Sequence, residues 1–457
     1  MSCENEKQQK TKQDSTTEVA GETCETGDRG GEKFEATSEA QDQSLMEEIL
    51  DKENLKIAYA RVVKNGGAAG IDGLSTDDLQ AYLAANWKQI KQELLQGTYK
   101  PRPVRRVNIP KPGGGKRQLG IPTVMDRFIQ QAVMQVLQRK WDSTFSEHSY
   151  GFRPGRSAKQ AIEAARKHIE GGYRVVVDID LEKFFDRVNH DVLMNRVTKR
   201  ISDKRVHKLI RAYLNAGALE GGLTSASKEG IPQGGPLSPL LSNLLLDELD
   251  RELERRNLHF VRYADDCNIY VASQRAGERV MKGITEFLGK RLRLQVNKEK
   301  SAVGKPWSRS FLGVSFYANN RGVKPRVASK SLARFKQRIR ELTRPTKGKS
   351  VSQVIGGLRE YLLGWRGYFV VCDTPKVFRN LDKWIRRRIR CYIWRQWKRG
   401  RTRYTELLRR GIHPQDAARA SGSAKGPWRL SKNSILHHAI PSAALHALGL
   451  PKLVSAS

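Results

Sequence analysis

The segment Phe260-Val-Arg-Tyr-Ala-Asp265-Asp266-Cys-Asn-Ile-Tyr-Val271 sets two adjacent carboxylates between two short, apolar, β-prone runs, the layout of a hairpin with its acids at the tip. Adjacent anions repel, and desolvating either one is unfavourable unless a cation or a basic side chain neutralises it. A second apolar run, Tyr173-Arg-Val-Val-Val-Asp178-Ile-Asp180, also ends in acid. Asp178 and Asp180 are two residues apart and share one face of an extended strand. Taken singly, each pair also reads as an ordinary acidic turn. Carboxylates from separate strands meeting around two Mg2+ ions would suit in-line phosphoryl transfer, one ion activating an attacking 3′ hydroxyl and the other holding a triphosphate. Periodicity alone does not say which acids meet.

Charge points to the same class of substrate. The 457 residues carry 83 Lys and Arg against 48 Asp and Glu, a net of +35, so a polyanion is the expected partner and nucleic acid the first candidate. The positive charge is concentrated, with 27 basic against 5 acidic side chains over residues 321–410. Arg386-Arg387-Arg388 and Lys398-Arg399-Gly400-Arg401 have few acidic neighbours, unlike solvated helix faces that interleave both signs. Residues 1–50 reverse the balance, with thirteen acids against five bases and almost no large apolar residue before Leu45. That composition predicts a disordered acidic segment over residues 1–45. The longest apolar stretch, around Leu237 to Leu246, is broken by Ser238, Pro239, Ser242 and Asn243, and no membrane span is expected. Five scattered cysteines without paired spacing argue against a disulfide framework and a zinc module, and with no secretory signal at the start they point to a reducing, cytoplasmic setting.

Length allows roughly three domains. Helical patterns at 127–140, 158–170 and 237–255 alternate with β-rich runs at 174–179, 260–263 and 268–271, an α+β core. An all-helical basic module follows, with the change placed near residue 320 among Pro306, Gly313 and Gly322. Within it Trp384, Ile385, Ile389, Tyr392 and Ile393 recur at three- and four-residue steps, so most of the interleaved aromatics are expected in a core rather than on nucleic-acid bases.

Two loops complete the pattern. Glu229-Gly-Ile-Pro-Gln233-Gly234-Gly235-Pro236-Leu-Ser-Pro239 is a rigid turn opening into an apolar helix, with Gln233 offering amide hydrogen bonds. Ile109-Pro-Lys111-Pro-Gly-Gly-Gly-Lys116-Arg117 is a basic loop able to close on a triphosphate, though it does not match a P-loop. The order of these motifs resembles the reverse transcriptase and maturase proteins encoded by bacterial group II introns, over roughly residues 50–410. Tyr263-Ala-Asp-Asp266, the Gln233 loop and His148-Ser-Tyr-Gly-Phe-Arg-Pro-Gly-Arg156 are the most specific elements. Gln295-Val-Asn-Lys-Glu-Lys300-Ser and Phe311-Leu-Gly-Val-Ser-Phe316 are similar to later palm motifs, and 357–369 looks like the maturase signature.

The resemblance implies a right-hand polymerase, with fingers and a ferredoxin-like palm over 46–320. An α-helical thumb and maturase-specific RNA-binding domain would follow over 321–410. Residues 411–457, containing Trp428, Arg429 and Lys432, lie beyond the resemblance and are expected to form a short basic, DNA-binding tail. It implies Asp180, Asp265 and Asp266 as catalytic, Mg2+-binding residues, with Asp178 structural. Phe185 would pack under the sugar and select deoxynucleotides, while Lys111, Arg117, Gln233 and Lys300 would hold the nucleotide. Arg386, Arg387, Arg388, Lys398 and Arg399 are the RNA-binding candidates. The implied partners are the intron RNA, a DNA target and primer, and deoxynucleoside triphosphates, with a homodimer left open. The implied activity is RNA-directed DNA synthesis with splicing assistance, in support of retrohoming, in a bacterial cytoplasm at the nucleoid. Many relatives end in a Cys- and His-bearing HNH endonuclease domain; here Cys391 is the last cysteine and His437-His438 have no partner pair, so second-strand cleavage is not expected. The competing readings are a non-enzymatic splicing factor on a palm scaffold, disfavoured by the intact acids, an RNA-copying polymerase, disfavoured by Phe185, and a reverse transcriptase of another retroelement or of phage defence.

Overall fold

The computed structural model describes residues 44–110, 114–220, 223–225, 229–345 and 348–454. The acidic stretch expected to be disordered lies outside these except for its final two residues, as does Lys111. Three groups of strands organise the chain. Strands β1 (Val104–Pro110), β2 (Lys116–Ile121), β4 (Ala218–Glu220) and β5 (Leu223–Ser225) form one sheet in the order β2-β1-β4-β5. Strands β3 (Val175–Ile179), β6 (His259–Tyr263), β7 (Asp266–Val271) and β8 (Ala302–Gly304) form a second, entirely antiparallel, in the order β6-β7-β3-β8. Strands β9 (Val314–Asn319) and β10 (Gly322–Val327) make a separate hairpin.

The second sheet positions the site, and its side-chain alternation explains why it forms. Val175, Val177 and Ile179 on β3, with Phe260, Cys267, Ile269 and Val271, enter the largest core. Val176, Val261 and Tyr270, pointing the other way, enter a second core built with helix Ala158–Glu170 and the β9–β10 hairpin. Both faces of the strands are therefore covered, and a continuous Val and Ile run is what such burial requires. Helices Val124–Trp141 and Ser238–Arg255, the latter opened by Pro239 and buried almost continuously from Ser238 to Asp247, fill the larger core. Each fully buried Leu, Val or Phe there contributes about 1.5–3 kcal/mol.

Residue 320 falls at the tip of the β9–β10 hairpin, where Gly322 takes φ +96, and the helical part starts instead with Ser329–Leu342. The glycine that suggested a linker turns a hairpin. In helix Pro375–Gln396 the residues Ile385, Ile389, Tyr392 and Ile393 are buried, as their spacing predicts, and Leu381 and Trp394 are buried with them, while Trp384 is half-buried at the edge of the same core. Residues 412–453, expected as a tail, fold onto this same core through Ala417, Leu430, Leu436, Leu445 and Leu453. Buried Asp382 accepts from the Leu453 amide at 3.0 Å, and Arg390 Nε donates to the Ile440 carbonyl at 2.9 Å. No helix among the described residues is long and apolar enough to cross a membrane.

Between helix Ala158–Glu170 and the sheet, His168 stacks on Tyr270 at 5.4 Å and faces His259 at 5.3 Å and His148 at 6.4 Å. Burial, then the charges of His259 and His148, lowers the His168 pKa to about 4. The folded protein thus holds this ring neutral while the unfolded chain protonates it near pH 6.5, so stability is lost as pH falls from about 6.5 towards 4. The thermal midpoint is expected to drop over that window, and to drop less in His168→Phe; an unchanged pH profile in the variant would remove His168 as the cause.

Candidate functional site

The β6–β7 register pairs Tyr263 with Asp266, leaving Ala264 and Asp265 as the tip. Ala264 takes φ +57, a left-handed turn unusual for a residue with a Cβ. Arg262, 0% exposed, holds it there with every N–H it has. Nε and Nη2 fork onto Asp250 at 2.7 and 2.5 Å, Nη1 reaches Asn243 Oδ1 at 3.0 Å and the Ala264 carbonyl at 2.9 Å, and Nη2 also reaches Ser149 Oγ at 2.8 Å. The Ser149-Tyr-Gly151 segment lies against the same turn so closely that a Cβ on Gly151 would sit 2.2 Å from the Ala264 nitrogen. The glycine of that motif is therefore a packing requirement of the acidic turn.

Strand β3 delivers the other acid. Its pairing with β7 ends at Ile179 and Cys267, and the next step along brings Asp180 beside Asp266. Asp180 is held through its backbone, donating to Ser301 Oγ at 2.9 Å and accepting from the Asn297 amide at 2.9 Å. Its carboxylate takes Lys300 Nζ at 3.2 Å. Asp178 turns to Arg309, whose guanidinium donates to it at 2.7 and 3.1 Å and to the Lys300 carbonyl at 2.6 Å. Asp178 is thus an ion-pair partner that braces the Lys300 segment.

Asp180, Asp265, Asp266, Phe185, Arg117, Gln233 and Lys300 all line one cleft of about 1900 Å3. Asp266 opens on this cleft but is hemmed in by protein on its other sides. That loss of water, reinforced by the charges of Asp265, Asp180 and Asp178, pushes it up to about 7. Desolvation, with Asp180 adding to it, also raises Asp265. Such a cluster is short of positive charge. Among the described residues no three His, Cys, Asp or Glu side chains stand close enough together to grip an ion unaided. The all-carboxylate set nevertheless suits a hard divalent cation, which would relieve the repulsion that holds Asp266 up.

Across the cleft, Arg117 Nε donates to Gln233 Oε1 at 2.6 Å, and Gln233 Nε2 reaches Asp186 Oδ1 at 3.5 Å. This bridge ties the β1–β2 hairpin to the Gln233 loop. Gly234, at φ +136, lets the loop pass with room for no more, since a Cβ would meet the Gly120 carbonyl at 2.7 Å. Phe185 lies against the main core, edge-on to Phe184 at 5.1 Å. The basic candidates are more dispersed. Arg387 donates to the Trp428 carbonyl at 2.9 Å and sits 3.9 Å over the Trp428 ring, and Arg388 donates to Thr343 Oγ1 at 2.8 Å, so both brace the helical part. Arg386 is half-buried, and Lys398 and Arg399 are exposed.

Sequence reasoning missed Arg262, Asp250, Asp186 and Arg309. An arginine between apolar β residues was the available signal for the first, because a charge at such a position must find a buried partner.

The reverse transcriptase (RNA-dependent DNA polymerase) family model matches residues 109–316, and the group II intron maturase-specific domain matches residues 332–411. Protein YkfC of Escherichia coli (strain K12) is 42% identical over 222 residues, 47% of this chain and 58% of that protein. The group II intron-encoded protein LtrA of Lactococcus lactis subsp. cremoris is 38% identical over 207 residues, 45% of this chain and 34% of LtrA. The match spans less than two thirds of either relative. A solved structure titled as a partial Cas6-RT-Cas1--Cas2 complex gives a TM-score of 0.35 at 25% identity, covering 54% of this chain and 42% of that one, too loose a superposition for argument.

Replacing Arg262 by Ala is expected to destabilise the protein by about 3–5 kcal/mol, because Asp250 is left charged, buried and unpaired. Replacing both by Met and Leu should recover much of that loss. Denaturant unfolding measures both, and a small effect of Arg262→Ala alone would show that the pair does not hold the turn.

Proposed function

We propose, for a chain whose two domains make it a group II intron reverse transcriptase and maturase, that it copies RNA into DNA from a primer 3′ end and binds its intron RNA to assist splicing. Target-primed synthesis of this kind would support retrohoming. The observation that carries the reading is the convergence of Asp180, Asp265 and Asp266 on one cleft, with Arg117 and Gln233 opposite and Phe185 in the wall between. A reverse transcriptase domain works with divalent metal, and we assign Mg2+ here, held by the three aspartates. When bound, it would lower the charge on the triphosphate and favour ionisation of the attacking hydroxyl.

The chain's own residues then have separate tasks. Arg117 presents a fixed fork to phosphate oxygens, and its Gln233 partner sets the angle of that fork. Lys300 supplies a mobile point charge beside Asp180. We assign the Phe185 ring, in the cleft wall, to the nucleotide sugar, where it would collide with a 2′ hydroxyl and favour deoxynucleotides. Lys111 is assigned to the triphosphate by motif alone, since it lies outside the described residues.

We read residues 46–328 as fingers and palm, and the helices from Ser329 onward as the thumb and maturase part. Arg386, Lys398 and Arg399 offer charge to RNA there, whereas Arg387 and Arg388 act by holding the helices that present it. A protein acting on intron RNA and a DNA target would work in the bacterial cytoplasm, at the nucleoid.

Primer extension on an RNA template with Mg2+ and deoxynucleotides tests this. Wild type is expected to extend the primer, and Asp265→Asn with Asp266→Asn to lose about a thousandfold in rate, the equivalent of the several kcal/mol a catalytic ion contributes. RNA affinity should stay within about twofold. Parallel loss of both would mean that the acids maintain the fold rather than the chemistry, and tight RNA binding without extension by wild type would favour a non-enzymatic splicing factor. A second measurement follows from Phe185: its replacement by Ala should raise ribonucleotide incorporation about tenfold or more relative to deoxynucleotide, the scale on which removing a steric contact shifts discrimination.

A further inference from the structure

Phe152 takes φ +59, in the left-handed region that bulky side chains avoid, and its ring is 46% exposed. Neither burial nor local preference accounts for this placing; its neighbours impose it. Gly151 is pressed against the Ala264 nitrogen, and its carbonyl accepts from Asn243 Nδ2 at 2.8 Å. On the other side Arg153 is buried, donating to the Ser146, Ser149 and Asp142 carbonyls at 2.6, 3.1 and 2.6 Å and pairing with the Asp142 carboxylate. The Phe152 carbonyl takes Gln138 Nε2 at 3.3 Å. A strained residue fixed on both sides is over-determined by its surroundings, and strain of that kind gathers at ligand sites.

The ring borders a cavity of about 550 Å3 distinct from the main cleft. The two share Arg117, Leu119, Phe185, Gln233 and Asp265, so the Arg117–Gln233 hydrogen bond stands between them. Asp180, Asp266 and Lys300 line only the main cleft, whereas Asp265 borders both, so the second cavity starts at the acidic turn and extends away from Asp180 and Lys300. Gly234 and Gly235 put no side chains into it, leaving room beside the Phe152 ring for a flat group.

Resting on the polymerase reading above, we propose that Phe152 is the platform on which the first unpaired base of the template strand stacks, across the Arg117–Gln233 bridge from the incoming nucleotide. An aromatic face accepts any base, as copying demands, because every base has a π-face. The neighbouring Arg127, whose guanidinium donates to the Gly66 and Ala68 carbonyls at 3.1 and 2.9 Å, adds positive charge at the cavity wall for the strand backbone.

The test uses the full chain with a primer–template carrying 5-iodouridine as the first unpaired template base, irradiated and mapped by mass spectrometry. The expected crosslink is to Phe152, and it should vanish when the same base is paired in a blunt duplex. Phe152→Leu and Phe152→Asn should bind the overhanging template about tenfold more weakly, while binding a blunt duplex like wild type. Phe152→Trp should preserve both. Asn tolerates the left-handed backbone, so its melting temperature should match wild type and separate stacking from folding. A crosslink mapping elsewhere, or overhang binding unchanged in Phe152→Leu and Phe152→Asn, would overturn the platform. Failure of the polymerase reading is read separately: the wild-type protein would then crosslink through Phe152 yet add no deoxynucleotide to the primer.

Discussion

One fully buried guanidinium holds the site together. Arg262 spends its five N–H groups on Asp250, Asn243, Ser149 and the Ala264 carbonyl. In a dry interior each of those groups left alone would be costly, and satisfied together they make a single rigid node. That node joins helix Ser238–Arg255, the Ser149–Gly151 segment and the β6–β7 turn. The two aspartates at the turn are placed by this network rather than by contacts of their own. The repulsion they experience in the cleft is thus sustained by a neutralised ion pair behind them.

The sheet beneath the site is held from two sides at once. Its odd-numbered β3 valines enter one core and Val176 enters the other, so moving the strand along by one residue would invert both. Register is accordingly fixed, and with it the separation between Asp180 at the end of β3 and Asp266 at the start of β7. Arg309 extends the same logic to the loop that bears Lys300, linking it to Asp178 within the sheet. The geometry of the acidic cluster derives from packing several residues away from the carboxylates themselves.

Much of this was legible in the chain. The acids of β3 and of the β6–β7 hairpin could be read because alternation and turn position are local signals, and the aromatic spacing of helix Pro375–Gln396 announced a core. The Arg262–Asp250 pair was not legible, since its members lie on different elements and neither motif nor period marks them. The Arg117–Gln233 bridge joins loops 116 positions apart in the chain, a distance at which no pattern in a single sequence speaks. Residues 412–453 were read as a tail because their helices are short and Ala-rich, with too few apolar residues each to show a stripe; only against Trp394 and Leu407 do those residues find a common core. In the arginine run at 386–388, charge density does not reveal that Arg387 lies against Trp428.

The attachment of Leu453 to Asp382 bears on how the molecule is made. Helix Pro375–Gln396 cannot complete its core until residues some seventy positions later have emerged from the ribosome, whereas the palm sheet has all its strands once Gly304 is out. Domains generally fold in the order of synthesis. The nascent chain therefore passes through an interval in which a finished palm is tethered to an open, strongly basic and apolar helical surface. That interval is when the chain is most exposed to misassembly.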